Sequence, residues 1–256
     1  MFIRNERSIQ EFFRLYPVVS ILVIIHLVLW LSYSVLRLQI GTDIFNWGIG
    51  HNFSVLHGEY WRLVTPIFLH IDLGHVVFNS FALVIFGPAL ERMVGKGMFI
   101  FIYLFTGIAA NIGTYFIDPT SMTPHLGASG AIYGLLGLYI YMTVMRKDLI
   151  DAGSARIVTI ILVIGLVMTF IRPNINIAAH IFGFIAGFAI GPVSLRKAVP
   201  YLIATMRVNA RQEQKDVGFN PNRWKRKRRI PRVIRKNMAW IIFILIVLIG
   251  FFARYF

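Results

Sequence analysis

The sequence predicts an all-α polytopic membrane protein, with a core of six transmembrane helices and a seventh helix at the C-terminus. Of its 256 residues, 57% are hydrophobic and only 14% are charged, a balance that a soluble domain of this size could not shield from water. The chain also contains several apolar runs of about 20 residues, the length that crosses the hydrocarbon core of a bilayer.

Seven apolar segments are predicted as spans: residues 18–36, 73–90, 98–116, 126–145, 157–170, 175–190 and 239–252. The first span follows three arginines, is long and has no small-residue cleavage site after it, so it is predicted as a retained span and not as a signal peptide. The resulting divisions are a cytoplasmic N-terminus (1–17), a six-span core (18–194), a basic cytoplasmic linker (195–237) and the seventh span (238–256).

Lysine and arginine predict the orientation of these spans. With a cytoplasmic N-terminus, 22 of the 26 basic residues fall on the inside, and only Arg37, Arg62, Arg172 and Arg254 fall outside. Positive residues collect on the cytoplasmic side of membrane proteins. The sequence therefore predicts the N-terminus inside and the C-terminus outside.

The net charge of +15 is concentrated between Arg196 and Lys236. A basic segment beside a membrane is attracted to anionic lipid headgroups, at about 1 kcal/mol per cation. Lipid is always adjacent to such a segment, so we expect the linker to bind the bilayer surface and not nucleic acid.

The first outer segment, 41–66, is predicted as a long loop rich in aromatic residues: Phe45, Trp47, Phe53, Tyr60 and Trp61. Aromatic side chains concentrate at the membrane interface. We expect this loop to lie partly in the outer leaflet.

Candidate catalytic chemistry begins at Gly127, Ala128, Ser129 and Gly130, which open a strongly apolar helix. Glycines on either side allow another backbone to approach the serine closely. Taken alone, this pattern is typical of helix packing in membranes. Taken singly, His180 and Asn79 are likewise better explained as interhelical hydrogen-bonding residues.

The depth of the polar residues favours a shared site. His75, Asn79, Ser129 and His180 lie on three spans that enter from outside, all within roughly 5 to 10 Å of the helix starts. Gly183 and Gly187 follow His180 at i+3 and i+7 and let its helix pack against the Ser129 helix. A serine next to a histidine base is an activated nucleophile.

The remaining polar groups fit the same chemistry. Tyr133 lies one turn from Ser129, where its ring can stack on the His180 imidazole. His75 and Asn79 are spaced i, i+4 and face one way, so with the Ser129 backbone N–H they can donate to an oxyanion. His26 in span one has no partner that the sequence identifies.

No metal or cofactor is predicted. The chain has no cysteine, and His70 and His75 are five residues apart, hence about 140° apart around a helix. No acid is placed to complete a Ser-His-Asp triad, since Asp72 and Asp118 belong to loops. A Ser129–His180 dyad remains.

These motifs resemble the rhomboid family of intramembrane serine proteases over roughly residues 61–187. The matching pieces are Trp61-Arg62, His70 with His75-x-x-x-Asn79, Gly87-x-x-x-Glu91-x-x-x-Gly95, Gly127-x-Ser129-Gly130 with Tyr133, and His180-x-x-Gly183-x-x-x-Gly187. The resemblance implies a six-helix bundle around an outward-open, water-filled cavity. It also implies the Ser129/His180 dyad, an oxyanion site at His75 and Asn79, and membrane proteins cut in or near a transmembrane segment.

Two alternatives come from other functional classes. A non-catalytic rhomboid-like protein would bind and escort membrane helices, although such relatives typically lack the serine or histidine that this chain keeps. A small-molecule transporter is disfavoured because no internal repeat and no charged residue inside a predicted span are found. The absence of organelle signals predicts a bacterial cytoplasmic membrane, and the sequence sets no oligomeric state.

Overall fold

The computed structural model describes residue 6, residues 8–173 and residues 175–206. In this part the chain is helical, with one isolated bridge between Gly50 and His125. The α-helices in order are α1 (Ile9–Leu15), α2 (Pro17–Trp30), α3 (Gln39–Gly48), α4 (Asn52–Leu56), α5 (Leu73–Val94), α6 (Lys96–Ile117), α7 (Ser129–Met145), α8 (Ala152–Ile171), α9 (Ile177–Ala189) and α10 (Gly191–Ser194). The predicted seventh span and most of the basic linker lie outside the described residues.

Four helices among the described residues are long and apolar enough to cross a membrane. They are Pro17–Val35, in which α2 continues as a short π-helix, together with α5, α6 and α8. These match four of the predicted spans within a few residues, except that α8 begins five residues before the predicted start at 157. The all-helical class is thus confirmed, whereas the count of six plus one is not established.

The predicted spans at 126–145 and 175–190 form shorter apolar helices. Helix α7 has 17 residues and α9 has 13, lengths of about 26 and 20 Å against a hydrocarbon core of about 30 Å. Helix α7 packs against α5, α6, α8 and α9, and Leu135, Leu138 and Tyr139 on it are fully buried. Because other helices surround α7, its length is not matched to lipid.

The predicted loop 41–66 is largely helical. It contains α3, α4 and two 3₁₀ turns, at Tyr60–Leu63 and Thr65–Phe68. Arg62 donates from Nη1 to the carbonyls of Asn46 (3.0 Å) and Ile49 (2.7 Å), at the C-terminal end of α3. A cation is favourable there, since the last helical carbonyls lack intrahelical donors.

Trp61 holds the same segment from another side. Its indole N–H donates to the carbonyl of Trp47 at 3.0 Å, and the two indole rings stack with centroids 5.4 Å apart. Trp61 and Arg62 therefore fasten the 3₁₀ turn to α3.

Glu91 has a structural role at the opposite end of α5. Its carboxylate accepts hydrogen bonds from the backbone N–H groups of Val18 (3.1 Å) and Val19 (2.9 Å), in the first turn of α2. A Cβ on Gly87 would come within 2.6 Å of Val19, so Gly87 and Glu91 form one contact with α2. Glu91 is buried near the end of α5, which extends four residues beyond the predicted end of this span at Leu90.

The beginning of the predicted linker packs on the bundle. Leu195 is buried, its carbonyl accepts from Arg146 Nη1 at 3.0 Å, and the Val199 N–H donates to the carbonyl of Met93 at 3.1 Å. Residues 195–206 therefore belong structurally with the helices that precede them.

Candidate active site

A tight turn at Gly127 brings α5 close to the start of α7. Gly127 has φ of +119°, a conformation that favours glycine, and its N–H donates to the carbonyl of Pro66 at 2.9 Å. A Cβ at this position would overlap the His75 ring and lie 3.6 Å from Asn79 Nδ2. The side chains of His75 and Asn79 therefore both lie against this turn, two residues before Ser129.

Helices α7 and α9 meet backbone to backbone. A Cβ on Gly183 would overlap the Gly130 carbonyl, and a Cβ on Gly187 would overlap the Gly134 carbonyl. At the site end, a Cβ on Gly130 would lie 3.4 Å from the Ala179 carbonyl. Gly130, which follows Ser129, thus lies against Ala179, which precedes His180.

Two side chains hold the His180 ring, which is 7% exposed. The Tyr133 ring stacks on the imidazole with centroids 4.1 Å apart and an interplanar angle of 15°. The Thr169 hydroxyl, on α8, lies 2.7 Å from His180 Nδ1. The imidazole is therefore fixed in both plane and tilt before any substrate is present.

The structure places Ser129 at the start of α7, half-buried, without a hydrogen bond between its hydroxyl and His180. Ser129 lines a small pocket of about 10 Å³, roughly the room for a single water molecule. Catalytic hydrogen bonds are often long or poorly aligned before substrate binds, so the missing bond does not rule out Ser129 as a nucleophile with His180 as its base.

The two candidate oxyanion residues differ in how they are held. The backbone N–H of His75 donates to the side-chain carboxylate of Asp72, the N-cap residue of α5, at 2.8 Å. Asn79 is buried, and among the described residues its Nδ2 has no hydrogen-bond partner. Its amide is a free donor beside the turn that leads to Ser129.

Two residues at the site, Thr169 and Asn176, were not predicted from the sequence. Thr169 lies eleven residues before His180 on another helix, and no spacing rule relates the two. Asn176 caps α9 by accepting from the Ala179 N–H at 2.9 Å, and it also lines the pocket. An Asn directly before a helical apolar run is a capping signal that the sequence does carry.

His125 also lines the pocket. Its backbone pairs with Gly50 through two hydrogen bonds of 2.9 Å, which join the first outer segment to the approach to α7. Burial, with His51 nearby, lowers the pKa of His125 to about 4. His125 is therefore neutral at physiological pH.

The sequence identified no partner for His26. In the structure its Nε2 atom is 3.2 Å from the hydroxyl oxygen of Tyr103. The centroid of its ring is 4.8 Å from that of the His70 ring. His70 is in turn 4.9 Å from the His75 ring. Within the described residues, no group of three or more His, Asp or Glu side chains has a geometry that could hold a metal ion. The rings of His26, His70 and His75 thus pack in a row.

The chain is similar to one known protein family and to individual members of it. The family model of the rhomboid domain matches residues 57–197. The chain is 42% identical over 200 residues to the putative rhomboid protease YdcA of Bacillus subtilis, covering 77% of this chain and 98% of that protein.

Other relatives are matched over a smaller share of their own length. The chain is 40% identical over 152 residues to the rhomboid protease GluP of Bacillus subtilis, but covers only 29% of it. It is 32% identical over 156 residues to RHOMBOID-like protein 9, chloroplastic, of Arabidopsis thaliana, covering 35% of that protein.

Proposed function

The chain belongs to the rhomboid family, and on that premise we propose that it cleaves transmembrane protein substrates through a Ser129–His180 dyad. It is an integral multi-pass membrane protein and a rhomboid-type serine endopeptidase. The bonds it hydrolyses would lie in or near the transmembrane segments of other membrane proteins.

The observation that carries this proposal is the held imidazole of His180 at the α7–α9 contact, beside the helix start that presents Ser129. His180 Nε2 takes the proton of the Ser129 hydroxyl as Oγ attacks the scissile carbonyl, and then gives it to the leaving amine. Water, activated by the same nitrogen, hydrolyses the acyl-enzyme and restores Ser129. No carboxylate takes part.

The developing oxyanion would be stabilised by His75, Asn79 and the Ser129 backbone N–H. His75 and Asn79 lie against the Gly127 turn, and the positive end of the α7 dipole points to the same place. Tyr133 keeps the imidazole in its plane. Gly127, Gly130, Gly183 and Gly187 supply close approach and no chemistry.

Three further elements belong to the proposal. The N-terminus would be cytoplasmic and the C-terminus outside, in a bacterial cytoplasmic membrane. The division into residues 1–17, a catalytic core 18–194, a linker 195–237 and a seventh span 238–256 would hold, with the start of the linker packed on the core. The basic part of the linker would contact anionic lipid headgroups.

The test is cleavage of a transmembrane substrate by purified protein in liposomes. Ser129→Ala and His180→Ala should each abolish cleavage, and the double variant should be no worse, because the two residues act as a unit. A fluorophosphonate should label the wild type at Ser129 and should label His180→Ala poorly.

Thermal unfolding of each variant controls for loss of fold. Cleavage by contaminant-free Ser129→Ala at the wild-type rate would end the dyad proposal. Wild-type protein that binds the substrate, cleaves nothing and resists the fluorophosphonate would instead support the non-catalytic, helix-escorting alternative.

A further inference from the structure

The hydroxyl of Thr169, on α8, lies at the centre of three hydrogen bonds. Its Oγ1 is 2.8 Å from the Gly165 carbonyl oxygen, 2.7 Å from His180 Nδ1 and 2.9 Å from the Tyr133 hydroxyl. Thr169 is 1% exposed. Three helices, α7, α8 and α9, are thus connected through one oxygen atom.

The direction of these bonds follows from counting protons. A threonine hydroxyl has one proton to donate and two lone pairs to accept with. The Gly165 carbonyl can only accept, so the Thr169 proton points to it. Both other partners must then donate to Thr169: the Tyr133 O–H and the N–H at His180 Nδ1. In this arrangement every bonding capacity of Oγ1 is used.

We propose that Thr169 is a positioning residue that selects the catalytically competent tautomer of His180. A neutral imidazole carries its proton on one nitrogen and accepts on the other. With the proton held on Nδ1 by Thr169, Nε2 has a free lone pair for the Ser129 proton. The inference rests on the proposed dyad, in which Thr169 supplies the orienting group that a triad takes from a carboxylate.

The glycine one turn before Thr169 supports this assignment independently. A Cβ on Gly165 would lie 2.8 Å from the Tyr133 hydroxyl and 3.4 Å from Cζ of its ring. Because the Tyr133 ring also stacks on His180, it cannot move away at little cost. Gly165 therefore leaves the space through which the Tyr133 hydroxyl reaches Thr169.

The competing explanation is a purely local one. Threonine in a helix commonly bonds the carbonyl four residues back, and Thr159 on the same helix does so with Ala155 at 2.9 Å. Thr159 is exposed, however, and makes no other side-chain hydrogen bond within the described residues. Thr159 is therefore the matched control for Thr169. It is a threonine on the same helix with the same hydrogen bond to the carbonyl four residues back, but it has no hydrogen bond to a histidine ring.

The experiment combines kinetics with the protonation state of the ring. In liposomes, Thr169→Val should lower kcat at least tenfold with KM for the transmembrane substrate unchanged. Thr169→Ser keeps the hydroxyl and should stay within about threefold of the wild type. Thr159→Val should leave both parameters unchanged. A merely structural Thr169 would not give rescue by serine together with an unaltered KM.

Nitrogen-15 NMR of histidine-labelled protein reports the tautomer directly, without requiring activity. The His180 resonances, assigned by their loss in His180→Ala, should show protonated Nδ1 in the wild type and a larger fraction of protonated Nε2 in Thr169→Val. A wild-type ring protonated at Nε2 would overturn the proposal even if Thr169→Val failed to fold. Wild-type kcat in a folded Thr169→Val would also overturn it.

The outcome separates this inference from the proposed function. Wild-type protein with protonated Nδ1 that cleaves no substrate would refute the protease proposal and leave the Thr169 assignment in place. Cleavage by a wild type whose His180 is protonated at Nε2 would refute the assignment alone.

Discussion

The side chain of Asn79 shows how the candidate site departs from ordinary packing. Its Nδ2 is buried without a partner among the described residues, and it lies near Gly127. An unsatisfied buried donor costs about 1 to 3 kcal/mol of folding free energy. Such a group calls for an explanation, and a donor kept for an oxyanion provides one.

Replacing Asn79 by alanine should therefore affect turnover more than folding. Loss of one oxyanion donor costs about 10² to 10³ in rate, and His75 could supply part of the stabilisation, which would soften the effect. We expect kcat for a transmembrane substrate to fall, with KM and the melting temperature nearly unchanged.

Ser80→Ala is the matched control, because Ser80 is the adjacent buried residue whose hydroxyl also has no partner among the described residues. It lies on another face of α5 and should keep the wild-type kcat. Wild-type turnover in both Asn79→Ala and His75→Ala would remove these two residues from the site.

The pairing of α7 with α9 brings together the helix starts that carry Ser129 and His180. Gly183 and Gly187 of α9 lie against the carbonyls of Gly130 and Gly134, so the two backbones touch without side chains between them. Small residues permit this approach in membranes, where van der Waals contact is the main attraction between helices.

Gly187→Val should separate the two helices. The added side chain would overlap the Gly134 carbonyl, and overpacking of a tight contact typically costs about 1 to 3 kcal/mol. We expect the melting temperature and the cleavage rate to fall together. Gly97→Ala on α6 is the control, since a Cβ there meets open space. A Gly187→Val variant with unchanged melting temperature and full activity would show that this contact is not tight.

The pairing of α7 with α9 could be predicted from the sequence, because glycines spaced along one face of a helix form the surface through which it contacts another helix. The helices within 41–66 could not, because they depend on distant partners such as the bonds from Arg62 to Asn46 and Ile49. Thr169 was missed for a related reason. A threonine in an apolar helix has no distinguishing pattern until the neighbouring helices bring His180 to it.

The polar residues are divided between the two ends of the bundle. His75 and Ser129 lie in the first turns of α5 and α7, while Arg92, Arg146 and Asp148 lie at or beyond the far ends of these helices. This division agrees with the charge distribution that predicts the orientation. With the orientation that the charges predict, the candidate site would face away from the cytoplasm.

Topology reporters can test that orientation for the whole chain. Fusions after Arg146 should report the cytoplasm, and fusions after Asp118 or at Phe256 should report the outside. The physical reason is the retention of positive residues on the cytoplasmic side. A cytoplasmic Phe256 would contradict the predicted seventh span, and a cytoplasmic Asp118 would invert the core.

The glycine contact between α7 and α9 also affects how alignment is lost. A contact made of backbone atoms has no side-chain rotamers to exchange, so it cannot relax through the rotamer changes that are open to interdigitated side chains. In the proposed dyad, the position of Ser129 relative to His180 along the helix axes then depends on α7 and α9 staying in contact. We therefore expect the proposed dyad to keep its geometry for as long as α7 and α9 remain in contact.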